Sequence, residues 1–127
     1  MTPQLRLFAE RYTAAWCSGN PQAVAAFFAA DGSLSVNNGP AATGSAAIAA
    51  VAQSFMTAFP DLQVFLDDLR PDGDRFAYHW TLTGTYAENG NPVRISGFEL
   101  WRIGPDDLIA ESAGQFDAAE YQRQLQA

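Results

Sequence analysis

The 127-residue chain is 48% hydrophobic with a formal charge of −7, a size and composition that suit one domain with its own core and no need of staples. All seven basic residues are arginine, which excludes a Schiff-base lysine and a phosphate-loop lysine. The acidic balance argues against nucleic acid or an anionic membrane as partner.

Cys17 and His79 are the single cysteine and histidine, so no intrachain disulfide forms and no dedicated metal site is expected. No apolar run approaches the ~20 residues of a membrane span. The start, Met1-Thr2-Pro3-Gln4-Leu5-Arg6, lacks a basic segment followed by an apolar block. The expectation is a soluble, cytoplasmic protein.

A first helix is predicted from Thr2 or Pro3 to Cys17, with Leu5, Phe8, Tyr12, Ala15 and Trp16 on one apolar face. Gly19 suits its C-terminal cap, Asn20 the N-cap of the next helix and Pro21 that helix's first position. The second helix is short and buries Val24, Phe27 and Phe28 before Asp31-Gly32. Ser33 to Val36 reads as a short strand, broken by Asn37-Asn38-Gly39-Pro40. A third helix, capped by Ser45, carries Ile48, Val51, Phe55 and Phe59 and stops at Pro60.

Beyond Pro60 the period changes from 3.6 to 2. Leu62, Val64 and Leu66 alternate with Gln63, Phe65 and Asp67, and Pro71-Asp72-Gly73 turns into a strand from Arg75 to Tyr86. A turn at Asn89-Gly90-Asn91, a strand through Ile95 to Ile103 and a last strand from Leu108 to Phe116 complete a four-stranded antiparallel meander, followed by a C-terminal helical piece. Segregated helices and strands indicate an α+β fold, with helices on one sheet face.

Strand alternation places Phe76, Tyr78, Trp80 and Leu82 on one face and Ala77, His79, Thr81 and Thr83 on the other. On the next strand Gly97, Glu99, Trp101 and Ile103 share a face opposite Ser96, Phe98, Leu100 and Arg102. Neither of the latter sets is purely polar, which points to an outer face covered by a second subunit, a homodimer.

Several blocks resemble the SnoaL-like polyketide cyclase group of the nuclear transport factor 2-like, or ketosteroid-isomerase-like, superfamily. They are Arg11 to Trp16, Phe27-Phe28-Ala29-Ala30-Asp31-Gly32, Thr43-Gly44, His79 to Thr85, Ser96 to Ile103, and Ile109-Ala110-Glu111 on to Asp117. The resemblance spans nearly the whole chain. It implies a cone-shaped α+β fold, with three N-terminal helices packed on a curved antiparallel sheet around an apolar cavity, usually dimeric. Relatives include cyclases, isomerases, epoxide hydrolases and dehydratases, and fold alone does not choose among these.

The resemblance also marks candidate residues. Tyr12 matches the tyrosine that donates to a developing enolate in the steroid isomerases; otherwise it is a core tyrosine bonded to backbone. Glu99 matches their protonated second acid, desolvated and neutral; otherwise it pairs with an arginine such as Arg94 or Arg102. Asp117 matches the general acid/base of the cyclases, and with Glu120 it also forms a near capping box. His79 has the parity of a dimer-interface or surface residue. Where the steroid isomerases carry their base the chain has Val36-Asn37-Asn38, and where many SnoaL relatives have His-Trp it has Ser112-Ala113.

A pocket lined by Trp16, Asn37, Phe55, Phe59, Tyr78, Trp80 and Trp101 is therefore expected, unless these aromatics are plain core. It would bind a small hydrophobic, carbonyl-bearing molecule without cofactor or metal. Cyclisation or isomerisation by proton transfer, with Asp117, Glu99 and Tyr12 as catalytic residues, is the enzymatic reading. A non-catalytic binding or assembly module of the same fold is the alternative.

Overall fold

Sequence-local signals place the helices. The structure, a computed structural model, describes residues 2–127. Helix α1 spans Pro3–Cys17, and Thr2 Oγ1 accepts from Leu5 N at its start. Gly19, with φ of 73°, ends the turn that follows. Asn20 Oδ1 then caps α2, Pro21–Ala25, by accepting from Gln22 N. Helix α3, Ser45–Ala58, is capped not by Ser45 but by Gly44, whose φ of 88° favours glycine. Ser45 is instead the first helical residue.

Four strands form the expected antiparallel meander: β3 (Gln63–Asp72), β4 (Arg75–Thr85), β5 (Pro92–Ile103) and β6 (Ile109–Phe116). The sheet is larger than that. Strand β1, Phe28–Val36, pairs with the free edge of β6 in parallel, and β2, Ala42–Thr43, pairs with β1, so the order is β2-β1-β6-β5-β4-β3. The expected all-antiparallel sheet is thus a mixed sheet of six strands. Phe27 and Phe28 lie beyond α2, and Phe28 opens β1 opposite Ile109. The expected C-terminal helical piece is α4 (Ala118–Gln126), a fourth helix beside the three N-terminal ones.

The face assignments follow the ladder. Phe76, Tyr78, Trp80 and Leu82 oppose Trp101, Glu99, Gly97 and Ile95. In β3, Leu66 opposes Trp80 while Leu69 opposes Tyr78, two inward leucines of opposite parity. The register shift between Leu66 and Asp68 reconciles them, because one extra residue flips the alternation. Among the described residues no helix is long and apolar enough to cross a membrane.

The core lies between α1, α3 and the inner sheet face. Tyr12 sits at its centre, fully buried, with edge contacts to Tyr78 and Trp101 at 5.4 and 5.2 Å. Tyr78 and Trp101 stack at 4.7 Å. Side chains of this size each bury some 150–250 Å², so this cluster dominates the apolar stabilisation of the layer.

Candidate functional site: a carboxyl in the wall of an apolar cavity

The inner face of the sheet does not pack shut against the helices. A cavity of about 60 Å³ remains, lined among others by Trp16, Phe55, Tyr78, Trp80, Phe116 and Tyr121. That is several times the ~10–15 Å³ that one water requires. Leu34 and Val36 of β1 and Val51 of α3 contribute aliphatic surface. Gly114 lies directly across the ladder from Glu99, and its missing side chain leaves the floor open beside the carboxyl.

Glu99 is the one carboxyl in this lining and is 7% exposed. Three donors converge on a single oxygen, Oε1: the Tyr12 hydroxyl at 2.9 Å, Trp101 Nε1 at 3.0 Å and the Ser112 hydroxyl at 2.8 Å. The other oxygen, Oε2, has no hydrogen-bond partner among the described residues. Burial pushes the carboxyl above its ordinary value of 4.5, and the bonds from Trp101, Ser112 and Tyr12 oppose that rise in part. Burial likewise raises Tyr12 well above the usual phenol value, reinforced by the adjacent Glu99. Tyr78 is pushed up by burial too, and its hydroxyl lies 2.5 Å from that of Thr13. With Oε1 occupied by three donors, Oε2 is the oxygen on which a protonated Glu99 would carry its proton.

The expected site residues separate into three groups. Trp16, Phe55, Tyr78, Trp80 and Glu99 line the cavity. Tyr12 and Trp101 lie behind the wall, both fully buried, and reach the site through Glu99. Phe59, Asn37 and Asp117 are not in the lining. Phe59 is buried against Tyr86 and Tyr121, at 5.9 and 6.3 Å, because the helix ends one residue before it. Asn37 sits in a turn with φ of 51°, its Oδ1 accepting from Phe116 N at 2.9 Å. Asp117 is exposed and caps α4, its Oδ1 accepting from Glu120 N at 3.0 Å. Its neighbours Phe116 and Tyr121 face the cavity instead.

Among the described residues Glu99 pairs with no arginine; the arginine pairs there involve Glu10, Asp68, Glu111 and Glu120. Ser112 was not anticipated as part of the site, although its parity with Gly114 and Phe116 in the last strand carries the signal. Trp80 adds one further polar group. Its Nε1 is fully buried without a partner, while its ring makes an edge contact with Phe116 at 6.0 Å. Among the described residues, no three His, Cys, Asp or Glu side chains converge as metal ligands would.

Comparison with known proteins gives a consistent fold. A protein of ketosteroid isomerase-like fold from Catenulispora acidiphila DSM 44928, solved in complex with trimethylamine, superposes with a TM-score of 0.84 at 21% identity, covering 98% of this chain and 93% of that one. TsrD from Streptomyces laurentii matches with a TM-score of 0.84 at 21% identity over 98% and 97% of the two chains. A candidate SnoaL-like polyketide cyclase from Jannaschia sp. CCS1 matches with a TM-score of 0.83 at 16% identity over 100% and 96%. No curated protein matches the chain in sequence. The sequence profile of the SnoaL-like domain matches residues 9–112. With the α+β architecture and the helix-covered sheet in agreement, the chain belongs to the SnoaL-like domain family.

Proposed function

We propose that the protein binds a small hydrophobic, carbonyl-bearing molecule in the cavity, with neutral Glu99 donating its Oε2 proton to the carbonyl oxygen. One observation carries this reading: Glu99 Oε1 accepts from Tyr12, Trp101 and Ser112 while Oε2 is unpartnered on an apolar wall. A ligand oxygen at Oε2 would gain an ordinary hydrogen bond, worth about 0.5–1.5 kcal/mol net. The same bond would draw charge from the carbonyl as an enolate develops, the electrostatic half of a cyclisation or isomerisation. Enolisation also needs a proton acceptor. Glu99 is the only carboxyl in the lining and Asp117 lies outside it, so binding with carbonyl polarisation is the function the geometry supports best.

The test is titration of a cyclic aliphatic ketone, cyclohexanone, followed by tryptophan fluorescence, against cyclohexane as control. Wild-type protein should prefer the ketone, and Glu99→Leu should abolish the preference while retaining the fold. Equal affinity of the two probes for the wild type would refute the reading.

A second reading rests on the aromatic lining. Tryptophan and tyrosine faces attract alkylammonium ions, and the relative from Catenulispora was solved with trimethylamine. That ligand requires Glu99 ionised, so its binding would strengthen as pH rises, opposite to the ketone.

The outer sheet face is the proposed contact with a second copy. His79 and Phe98 lie 5.8 Å apart there, with Ala77, Leu100 and Ala113 in adjoining register. Phe98→Asp should convert a dimer to a monomer in light scattering, and an unchanged mass would remove this contact.

A further inference from the structure

Strand β5 outruns β6. Their last ladder pair is Gly97 with Phe116, whereas β5 begins at Pro92. Residues 92–96 therefore have no strand beside them on that side, and their backbone groups need other partners. After Phe116 the chain turns at Asp117 and α4 crosses this edge. Gln124 meets it with its side-chain amide: Arg94 N donates to Oε1 at 2.7 Å, and Nε2 donates to Arg94 O at 2.9 Å. These are the two bonds a neighbouring strand residue would make.

The far end of α4 is held by the turn between β4 and β5. Asn91 Nδ2 donates to the Leu125 and Ala127 carbonyls at 3.0 and 2.7 Å, and Asn89 Nδ2 donates to Leu125 O at 2.7 Å. The terminal carbonyls, which have no partner within the helix, are satisfied in this way. What α4 lacks is a fully buried residue: Tyr121 and Leu125 pack half-buried against the core, whereas α1 buries Tyr12 and Trp16 and α3 buries Ile48 and Met56. Its part in the cavity wall is Tyr121, half-buried, 5.4 Å from Phe116. Phe116 in turn touches Trp80, whose buried Nε1 has no partner.

We propose that α4 is the gate of the cavity. Release of Asn89, Asn91 and Gln124 lets the helix swing about Asp117 and withdraw Tyr121, and ligand enters and leaves by that route. Low apolar burial and a polar latch are the marks of a segment that opens locally, well below the cost of global unfolding. The proposal rests on the cavity being the binding site.

The test is exchange of tryptophan indole protons with solvent, followed by NMR in wild type and in the Asn91→Ala/Gln124→Ala variant. Neither substituted residue lines the cavity. Trp80, a lining residue whose buried Nε1 has no partner, reports local opening of the cavity wall, and Trp101 Nε1, bonded to Glu99 in the core, reports global opening. In the variant the Trp80 proton should exchange about tenfold or more faster, as expected for the loss of ordinary hydrogen bonds, with Trp101 unchanged. Parallel acceleration of both protons, or no acceleration of either, overturns the gate. Should the double variant not fold, Tyr121→Ala leaves the latch in place and should give the same selective change. Cyclohexanone association and dissociation should accelerate together in the latch variant at nearly constant Kd. If the ketone binds neither protein the binding reading falls, and the indole protons still decide the gate.

Discussion

The Tyr12 hydroxyl on α1 and the Glu99 carboxyl on β5 meet at 2.9 Å across 87 positions of sequence. That bond joins the helix layer to the sheet where a buried carboxyl reaches the cavity. Tyr12→Phe removes one of the three donors on Oε1 and keeps the ring packed against Tyr78 and Trp101. The expected cost is about 0.5–1.5 kcal/mol, read as a lower denaturant midpoint at unchanged slope. With a donor lost, Glu99 should titrate still higher, visible by NMR of its carboxyl carbon.

The raised Glu99 fixes a sign for pH. Its folded value lies above the unfolded 4.5, so its stabilising contribution is full below 4.5 and is lost as pH rises through the folded value. The difference in unfolding free energy between wild type and Glu99→Gln should shift in favour of the variant over that window. Ketone binding should weaken across the same window, because the donated proton is lost. Flat profiles for both would mean that Glu99 titrates normally.

Asp117 separates a cap from an acid. Asp117→Asn retains an N-cap acceptor for Glu120 N and should stay within about 0.5 kcal/mol of wild type, whereas Asp117→Ala should lose about 1 kcal/mol. Ketone binding should survive Asp117→Asn unchanged. Loss of binding in that variant, with the cap preserved, would return Asp117 to the site.

Gly97 is required by contact, not by backbone angle. A Cβ there would lie 2.4 Å from Gln115 O and 2.7 Å from Trp80 Cζ2. Backbone on one side and a packed indole on the other leave little room to yield. Gly97→Ala should cost on the order of 1–3 kcal/mol, the usual range for overpacking, in a thermal melt.

Filling the cavity should separate binding from folding. Val51 on α3 is half-buried and lines the cavity. Val51→Phe adds ring volume to existing space, so stability should change by less than about 1.5 kcal/mol while ketone binding is lost. Retained affinity would place the ligand elsewhere.

Much of this architecture was legible in the residues. Asn20-Pro21, Gly19 and the apolar stripe of Tyr12 and Trp16 announce two helices through local chemistry alone. Alternation in Arg75–Thr85 and Pro92–Ile103 assigns Tyr78, Trp80, Glu99 and Trp101 to one face, and the ladder keeps them there. Ser112 and Phe116 follow the same alternation and went unassigned, because an alanine- and glycine-rich strand has little polarity contrast. The parallel pairing of β1 with β6 could not be read at all. Register between segments some 80 residues apart is decided by which sheet edge is free when the chain closes.

The sequence by itself determined the helices, the meander and the α+β class, since each rests on spacing within one segment. Only the tertiary structure decided what surrounds the Glu99 carboxyl. The sequence left open an arginine or a substrate-facing hole; packing of α1 against the sheet brought Tyr12 to Oε1, and the β5–β6 ladder added Ser112. Packing likewise kept Asp117 outside the cavity and set Tyr121 in its wall, because the direction in which α4 leaves the sheet follows from an unpaired stretch of β5.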